Sequence, residues 1–149
     1  MIASHYISNP LLIDGFKSDL RLYVALTSVN PLRIYIYDEG LTRFATNQYV
    51  DPNNQDNVNK KEGKYGHLTN YSINKNNKAA FVQNSCADDD IVGSKWSLRG
   101  FKKVLRANDI DEKVIFNKIK DVIIKTFIAA EPVLNSAFQM HVPFRNNCF

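Results

Sequence analysis

Three ionisable residues, each two apart, open a strand-like stretch of this sequence: Lys17, Asp19 and Arg21. Alternate side chains of an extended chain leave the same face, so a cation, an anion and a guanidinium form one row opposite a leucine-rich face. Such a row has two readings. It is a solvated sheet face whose charges neutralise one another, or it is a site for phosphate or carboxylate, groups on which lysine acts as a point charge and arginine as a planar fork. Arg43 follows the second strand-like stretch, in Gly40-Leu41-Thr42-Arg43-Phe44-Ala45-Thr46. Small and apolar neighbours partly desolvate a guanidinium there, and it needs an anionic partner. The partner is a bound carboxylate or phosphate, or an acidic residue of the chain such as Asp38 or Glu39.

Other candidates carry less chemistry. Asp88-Asp89-Asp90 reads as a solvated acidic loop, since consecutive carboxylates diverge and no further ligand group follows at a useful spacing. His5, His67 and His141 stand at no spacing to a nucleophile, and Gly-x-Ser-x-Gly, P-loop and Gly-x-Gly-x-x-Gly motifs are absent. Hydrolase and Rossmann readings therefore have no support. Cys86 and Cys148 belong to no Cys-x-x-Cys or Cys/His cluster, which leaves reduced thiols rather than a zinc or redox centre. No metal site is expected within the chain.

The elements that would position these residues are legible as patterns. Residues 18–38 alternate with period two on both sides of Asn30-Pro31, with Leu20, Leu22, Val24, Leu26, Leu32, Ile34 and Ile36 on the buried face of a β-hairpin. A shorter strand is expected over residues 3–7, and Asn9-Pro10 and Asp14-Gly15 punctuate the chain between them. Residues 46–66 and 74–80, rich in Asn, Asp, Gln and Lys, read as loops. Between them, His67-Leu68-Thr69-Asn70-Tyr71-Ser72-Ile73 carries polar residues of the kind that place side chains at a site. Ser97 is expected to cap a helix carrying Leu98, Phe101, Val104 and Leu105. Asp109 or Asp111 starts a long one with Ile115, Ile119, Val122, Ile123, Phe127 and Ala130 facing inward. Pro132 predicts a kink or break there, with residues 133–140 as a second short helix. Strands first and helices after make an α+β arrangement.

With 149 residues, 44% of them hydrophobic and 11% aromatic, the chain can bury one core of ordinary size, as one domain or part of one. A net charge of +4 suits nucleic acid, nucleotide or a carboxylate-rich peptide without choosing among them. No apolar run reaches about 18 residues, and MIASHYISNP lacks the features of a signal peptide, so a soluble intracellular protein is expected.

Tyr6 through Gly15 (YISNPLLIDG), then Lys17, Asp19-Leu20-Arg21, Pro31-Leu32-Arg33-Ile34-Tyr35 and Gly40 through Thr46 resemble the tubulin–tyrosine-ligase-like family, its polyglutamylases in particular. His67 through Lys75 (HLTNYSINK) and Gly93-Ser94-Lys95-Trp96-Ser97 resemble two further blocks, in the family's order. Ser4 stands where family members usually carry glutamine, and Ser18 where they carry an aromatic residue. The resemblance implies a partial ATP-grasp-like domain, its antiparallel hairpin sheet followed by helices. It also implies ATP-dependent attachment of glutamate to acidic tubulin tails through an acyl phosphate. Carried over by position, Tyr6, Ile7, Lys17, Asp19, Thr69 and Asn70 would line the nucleotide site. Arg43, Tyr71, Ser72 and Lys95 would hold the incoming glutamate, and Arg21 would stand near the transferred phosphoryl group and acceptor carboxylate. Arg21 and Arg43 are the expected catalytic pair. Cations at Arg43 and Lys95 would suit both carboxylates of glutamate better than glycine or tyrosine. The cofactors implied are ATP and Mg2+, and the family's metal-holding Asp, Glu and Asn would lie outside these residues. The 149 residues alone are therefore expected to be a central, inactive excerpt.

The resemblance implies tubulin tails or microtubules as partners, free glutamate as co-substrate, and a cytoplasmic, cytoskeletal location that extends to the axoneme of cilia or flagella. Neither nucleic acid nor membrane is expected to bind. Two other readings compete. A non-catalytic module would hold acidic tails through Arg21, Arg33 and Arg43. A single-strand nucleic-acid binder would stack bases on Tyr23, Tyr35 and Tyr37, although sheet-face tyrosines are more often packed under a helix. The polar stretch 46–66 has too few apolar residues to offset its ordering entropy. Deleting residues 53–59 is expected to leave the melting temperature nearly unchanged, and a large drop would show that the segment packs.

Overall fold

A computed structural model describes residues 3–52, 63–82, 91 and 93–142. Period-two alternation produces its two longest strands, β2 (Phe16–Ser28) and β3 (Arg33–Phe44), joined through Asn30-Pro31. Leu22, Val24, Leu26, Leu32, Ile34 and Ile36 are half-buried, whereas Tyr23, Tyr35 and Tyr37 are exposed rather than packed under a helix. The hairpin thus covers one face only. β3 runs on to Phe44, so Arg43 is a strand residue and not, as expected, one that follows the strand.

The sheet is antiparallel, in the order β1-β2-β3-β4. β1 (Leu12–Ile13) sets Leu12 opposite Lys17 and Ile13 opposite Phe16. The two residues between, Asp14 (φ 52°) and Gly15 (φ 81°), both adopt left-handed backbone, which matches the twist of a two-residue hairpin. β4 (Lys95–Ser97) pairs with the end of β3, with Lys95 opposite Arg43 and Trp96 opposite Thr42. The strand expected over residues 3–7 does not form. A strand exists by pairing its backbone with a neighbour, and β2 takes Leu12–Ile13 there instead.

Two one-turn helices, α1 (Lys64–His67) and α2 (Tyr71–Asn74), flank the residues between them, and α3 (Leu98–Ala107) and α4 (Glu112–His141) follow β4. Ser97 Oγ accepts a hydrogen bond from the Gly100 N–H at 2.9 Å, as a cap should. At the far end of α3 the Ile110 N–H donates to the Leu105 carbonyl (2.9 Å) and the Asp109 N–H to that of Arg106 (3.1 Å), with Asp109 left-handed at φ 55°. This is a Schellman closure. Asp109 therefore ends one helix, and Asp111, whose carboxylate accepts from the Lys113 N–H at 2.8 Å, starts the next.

The second short helix expected after Pro132 is not separate: α4 is one helix with Pro132 inside it. Proline forfeits one backbone donor and crowds one carbonyl, a loss confined to a single turn. Ile115, Ile119, Ile123 and Phe127 are half-buried, while Val122, expected to face inward, is 62% exposed. Residues four apart share a stripe, and Val122 lies about 100° around the helix from Ile123. No residue of α4 is fully buried, and no helix among the described residues is long and apolar enough to cross a membrane.

The chain forms two compact units. One comprises Met1–Arg21 with Leu41–Phe101, and the other Leu22–Gly40 with Lys102–Phe149. Ile13, Phe44, Ala45, Leu98 and Phe101 are buried in the first, together with Thr42, Thr46 and Asn74. Val29, Leu105 and Ser28 are buried in the second. Asp111→Ala removes the cap of α4 and should lower unfolding free energy by about 1 kcal/mol in urea titrations, with Asp111→Ser retaining most of it.

Candidate functional site

All of the candidate nucleotide, glutamate and catalytic residues fall in the first unit, where the end of β3 is tied on several sides. The Ala45 N–H donates to the Lys17 carbonyl at 2.9 Å and the Phe44 N–H to that of Ser94 at 3.0 Å. Thr46 and Asn47 both donate to the Tyr65 carbonyl at 3.1 Å. Gly66 lies so close to this turn that an added Cβ would sit 2.6 Å from the Gln48 carbonyl oxygen, an approach open only to glycine. Asn74, 1% exposed, completes the arrangement. Its Oδ1 accepts from the Thr46 N–H (3.1 Å) and hydroxyl (2.7 Å), and its Nδ2 donates to the carbonyls of Leu68 (2.7 Å) and Asn70 (3.1 Å). The polar stretches read as loops are thus packed at their described ends. Their amides and hydroxyls turn inward to satisfy backbone groups instead of facing water. Residues 53–62, Asp88, Asp89 and Asp90, and both cysteines lie outside the described residues.

The row of Lys17, Asp19 and Arg21 divides between two clusters. In the first, the Lys17 ammonium donates to the Tyr6 hydroxyl at 3.3 Å and stands 4.6 Å from the centre of its ring. The same hydroxyl lies 2.8 Å from His67 Nδ1. Which of the two donates follows from which ring nitrogen of His67 carries the proton. Burial first, and the Lys17 charge second, hold His67 below its ordinary pKa of 6.5. Tyr49 packs edge-on against His67, centroids 5.1 Å apart, and donates to the Ser8 carbonyl at 2.7 Å. Its phenol is pushed up to about 12, chiefly by burial. Tyr6, Ile7, Lys17 and Ser18 line an adjoining groove of about 530 Å3. An aromatic ring, an apolar side chain and an ammonium at one open groove are suited to a base and a phosphate.

The second cluster is built on an ion pair. Arg43 Nε donates to Asp19 Oδ1 (3.0 Å) and Oδ2 (3.2 Å), and Arg43 Nη2 donates to Oδ2 at 2.6 Å. Arg43 therefore takes an acidic partner from the chain, but from β2 and not from Asp38 or Glu39. Four or five residues of extended strand span roughly 13–17 Å, beyond its reach. Arg21 stands 3.8 Å from the same carboxylate and is 58% exposed. Arg43, Thr69, Tyr71 and Lys95 line one cleft, of about 10 Å3 in this conformation. The Lys95 ammonium lies 4.3 Å from the Tyr71 ring centre, and that of Lys75 lies 5.9 Å from it. Asn70 precedes α2 and lends its carbonyl to Asn74, and Ser72 lends its own to Asn76; both residues are exposed.

His67, Tyr49, Asn74 and the Asp19 to Arg43 pairing were not singled out by pattern. Only the position of His67 at the head of its polar segment was a signal for any of them. Among the described residues no group of three or more His, Cys, Asp or Glu is placed to hold a metal ion. In an NMR titration His67 should titrate below 6.5, and Lys17→Met should move its midpoint upward. The stability that neutral His67 contributes is present above pH 6.5 and lost as pH falls through the folded value.

The family model of the tubulin-tyrosine ligase family matches residues 1–149. The chain is 46% identical over 143 residues to tubulin polyglutamylase TTLL13 of Mus musculus, a match covering 96% of this chain and 16% of that protein. It is 42% identical over 151 residues to tubulin polyglutamylase TTLL5 of Homo sapiens, covering 100% of this chain and 11% of that protein. With tubulin polyglutamylase TTLL6 of Mus musculus the identity is 46% over 145 residues, 96% and 16% respectively. The chain thus spans only 11% to 16% of the length of these relatives. On a match that runs from its first residue to its last, the chain belongs to the tubulin-tyrosine ligase family.

Proposed function

We propose that this chain is the part of an ATP-dependent ligase that receives glutamate and presents it for attachment to acidic side chains of tubulin tails. The observation that carries the reading is the cleft where Arg43, Lys95 and Tyr71 meet, because it gathers two cations around one aromatic wall. A dicarboxylic amino acid suits that pair of cations better than glycine or tyrosine does. The cleft has room for about one water molecule as it stands, so the amino acid enters by displacing the Lys95 and Tyr71 side chains.

Tyr6, Ile7 and Lys17 would hold the nucleotide at their groove, the ring and aliphatic chain against the base and the ammonium toward phosphate. Thr69 and Asn70, between α1 and α2, border both roles. ATP, when bound, supplies the phosphoryl group that activates a carboxylate, and Mg2+ held by residues beyond the described ones would offset its charge. Arg21, exposed beside Asp19, is suited to an anionic acceptor because its guanidinium is only loosely engaged. The names of the relatives support tubulin as that acceptor and the microtubule cytoskeleton as the setting.

A second reading, a module that holds acidic tails without catalysis, draws on the exposure of Arg21 and Arg33. Arg43, only 17% exposed and paired to Asp19, contributes little to a surface of that kind. Incorporation of labelled glutamate by the full-length protein separates the two. In that protein Arg43→Ala should raise the glutamate KM tenfold to a hundredfold, the loss of one charge-assisted contact at roughly 1.5–3 kcal/mol, with the ATP dissociation constant nearly unchanged. Equal loss of both would overturn the assignment of Arg43 to the amino acid.

A further inference from the structure

Arginine offers five N–H donors, and the edge on which it is held decides which of them remain for a ligand. Asp19 grips Arg43 from the side, through Nε and one hydrogen of Nη2. The guanidinium is planar, so this grip fixes its plane and directs the opposite fork, Nη1 with the second Nη2 hydrogen, away from Asp19. Nη1 has no hydrogen-bond partner among the described residues. Arg43 also lines the cleft with Thr69, Tyr71 and Lys95. Asp19 is engaged on both oxygens: Oδ1 accepts from Nε, Oδ2 accepts from both Nε and Nη2, and Arg21 stands at 3.8 Å.

We infer that Asp19 is a positioning residue for Arg43: it holds the guanidinium side-on so that its end-on fork receives the carboxylate of the incoming amino acid. This rests on the reading of the cleft as an amino-acid site, and it gives Asp19 a role toward the amino acid. The inference differs in sign from simple electrostatics. If Asp19 acted only through its charge, removing that charge beside Arg43 would attract glutamate more strongly. If Asp19 orients the fork, its removal weakens glutamate, because a guanidinium free to rotate must be ordered by the ligand itself.

The test uses the full-length protein with four forms: unaltered, Asp19→Asn, Arg43→Ala and the double variant. Glutamate KM is read from incorporation at saturating ATP, and glutamate affinity from calorimetry with a non-hydrolysable ATP analogue. Asp19→Asn should weaken glutamate by about tenfold, shift the nucleotide much less, and add almost nothing once Arg43 is alanine. Asp19→Glu keeps the charge but displaces the carboxylate. It should weaken glutamate in the same direction, and it serves as the second variant if Asp19→Asn does not fold.

Tighter or unchanged glutamate binding in Asp19→Asn would overturn the inference, as would a weakening confined to ATP. Multiplicative effects in the double variant would do the same. Should Arg43→Ala itself leave glutamate binding intact, the cleft reading fails and the role of Asp19 falls with it. Loss in Arg43→Ala without loss in either Asp19 variant rejects the positioning role alone.

Discussion

A buried carboxamide has to satisfy an oxygen and a nitrogen at once, and Asn74 does so by joining segments that the sequence keeps apart. Its oxygen holds Thr46 at the end of β3, 28 residues away in sequence, and its nitrogen holds the carbonyls on either side of Thr69. The polar segment between α1 and α2 can therefore lie only where Thr69 and Tyr71 meet Arg43 at the cleft. Water could replace any one of these bonds at a surface. At 1% exposure it cannot, and the geometry of the segment follows from that exclusion.

Electrostatics then divides one row of charges between two clusters. Lys17 and Asp19 leave the same face of β2 two residues apart, yet Lys17 turns to the Tyr6 hydroxyl and Asp19 to Arg43. Of the two readings of that row, the mutual neutralisation of charge is visible, though Asp19 finds its main partner on β3. The Asp19 and Arg43 charges neutralise one another, and the arrangement that does so leaves one fork of Arg43 outward and an ammonium at an open groove. Around Lys17 the neighbouring groups are kept neutral. His67 stays below its usual pKa and the Tyr49 phenol is held at about 12, so lysine is the cation of that cluster.

Tubulin-tyrosine ligase family membership and the α+β arrangement were legible from short motifs and periodicity. Alternation every second residue produced the hairpin, Ser97 capped α3, and Asp111 opened α4 where an aspartate was expected. These features depend on neighbours within a few residues, and local sterics and backbone hydrogen bonding settle them before the chain is compact. The motif blocks carried the candidate residues for the same reason, since a family pattern records residue types at fixed spacing.

Partnership was not legible, because it is chosen across long separations. The sequence by itself determined that Arg43 needs an anion. Only the tertiary structure decided that Asp19, 24 residues earlier, supplies it. Composition placed Thr46 and Asn74 in solvated stretches, and folding buried them because their polar groups had backbone partners to satisfy. Residues 3–7 had the makings of a strand, but β2 paired with Leu12–Ile13. Pro132 promised a kink or a break with a separate short helix after it, and one helix runs through it. In each case a local preference worth about a kilocalorie or a few yielded to which groups the fold brought within hydrogen-bonding or packing distance, a quantity that no window of neighbouring residues contains.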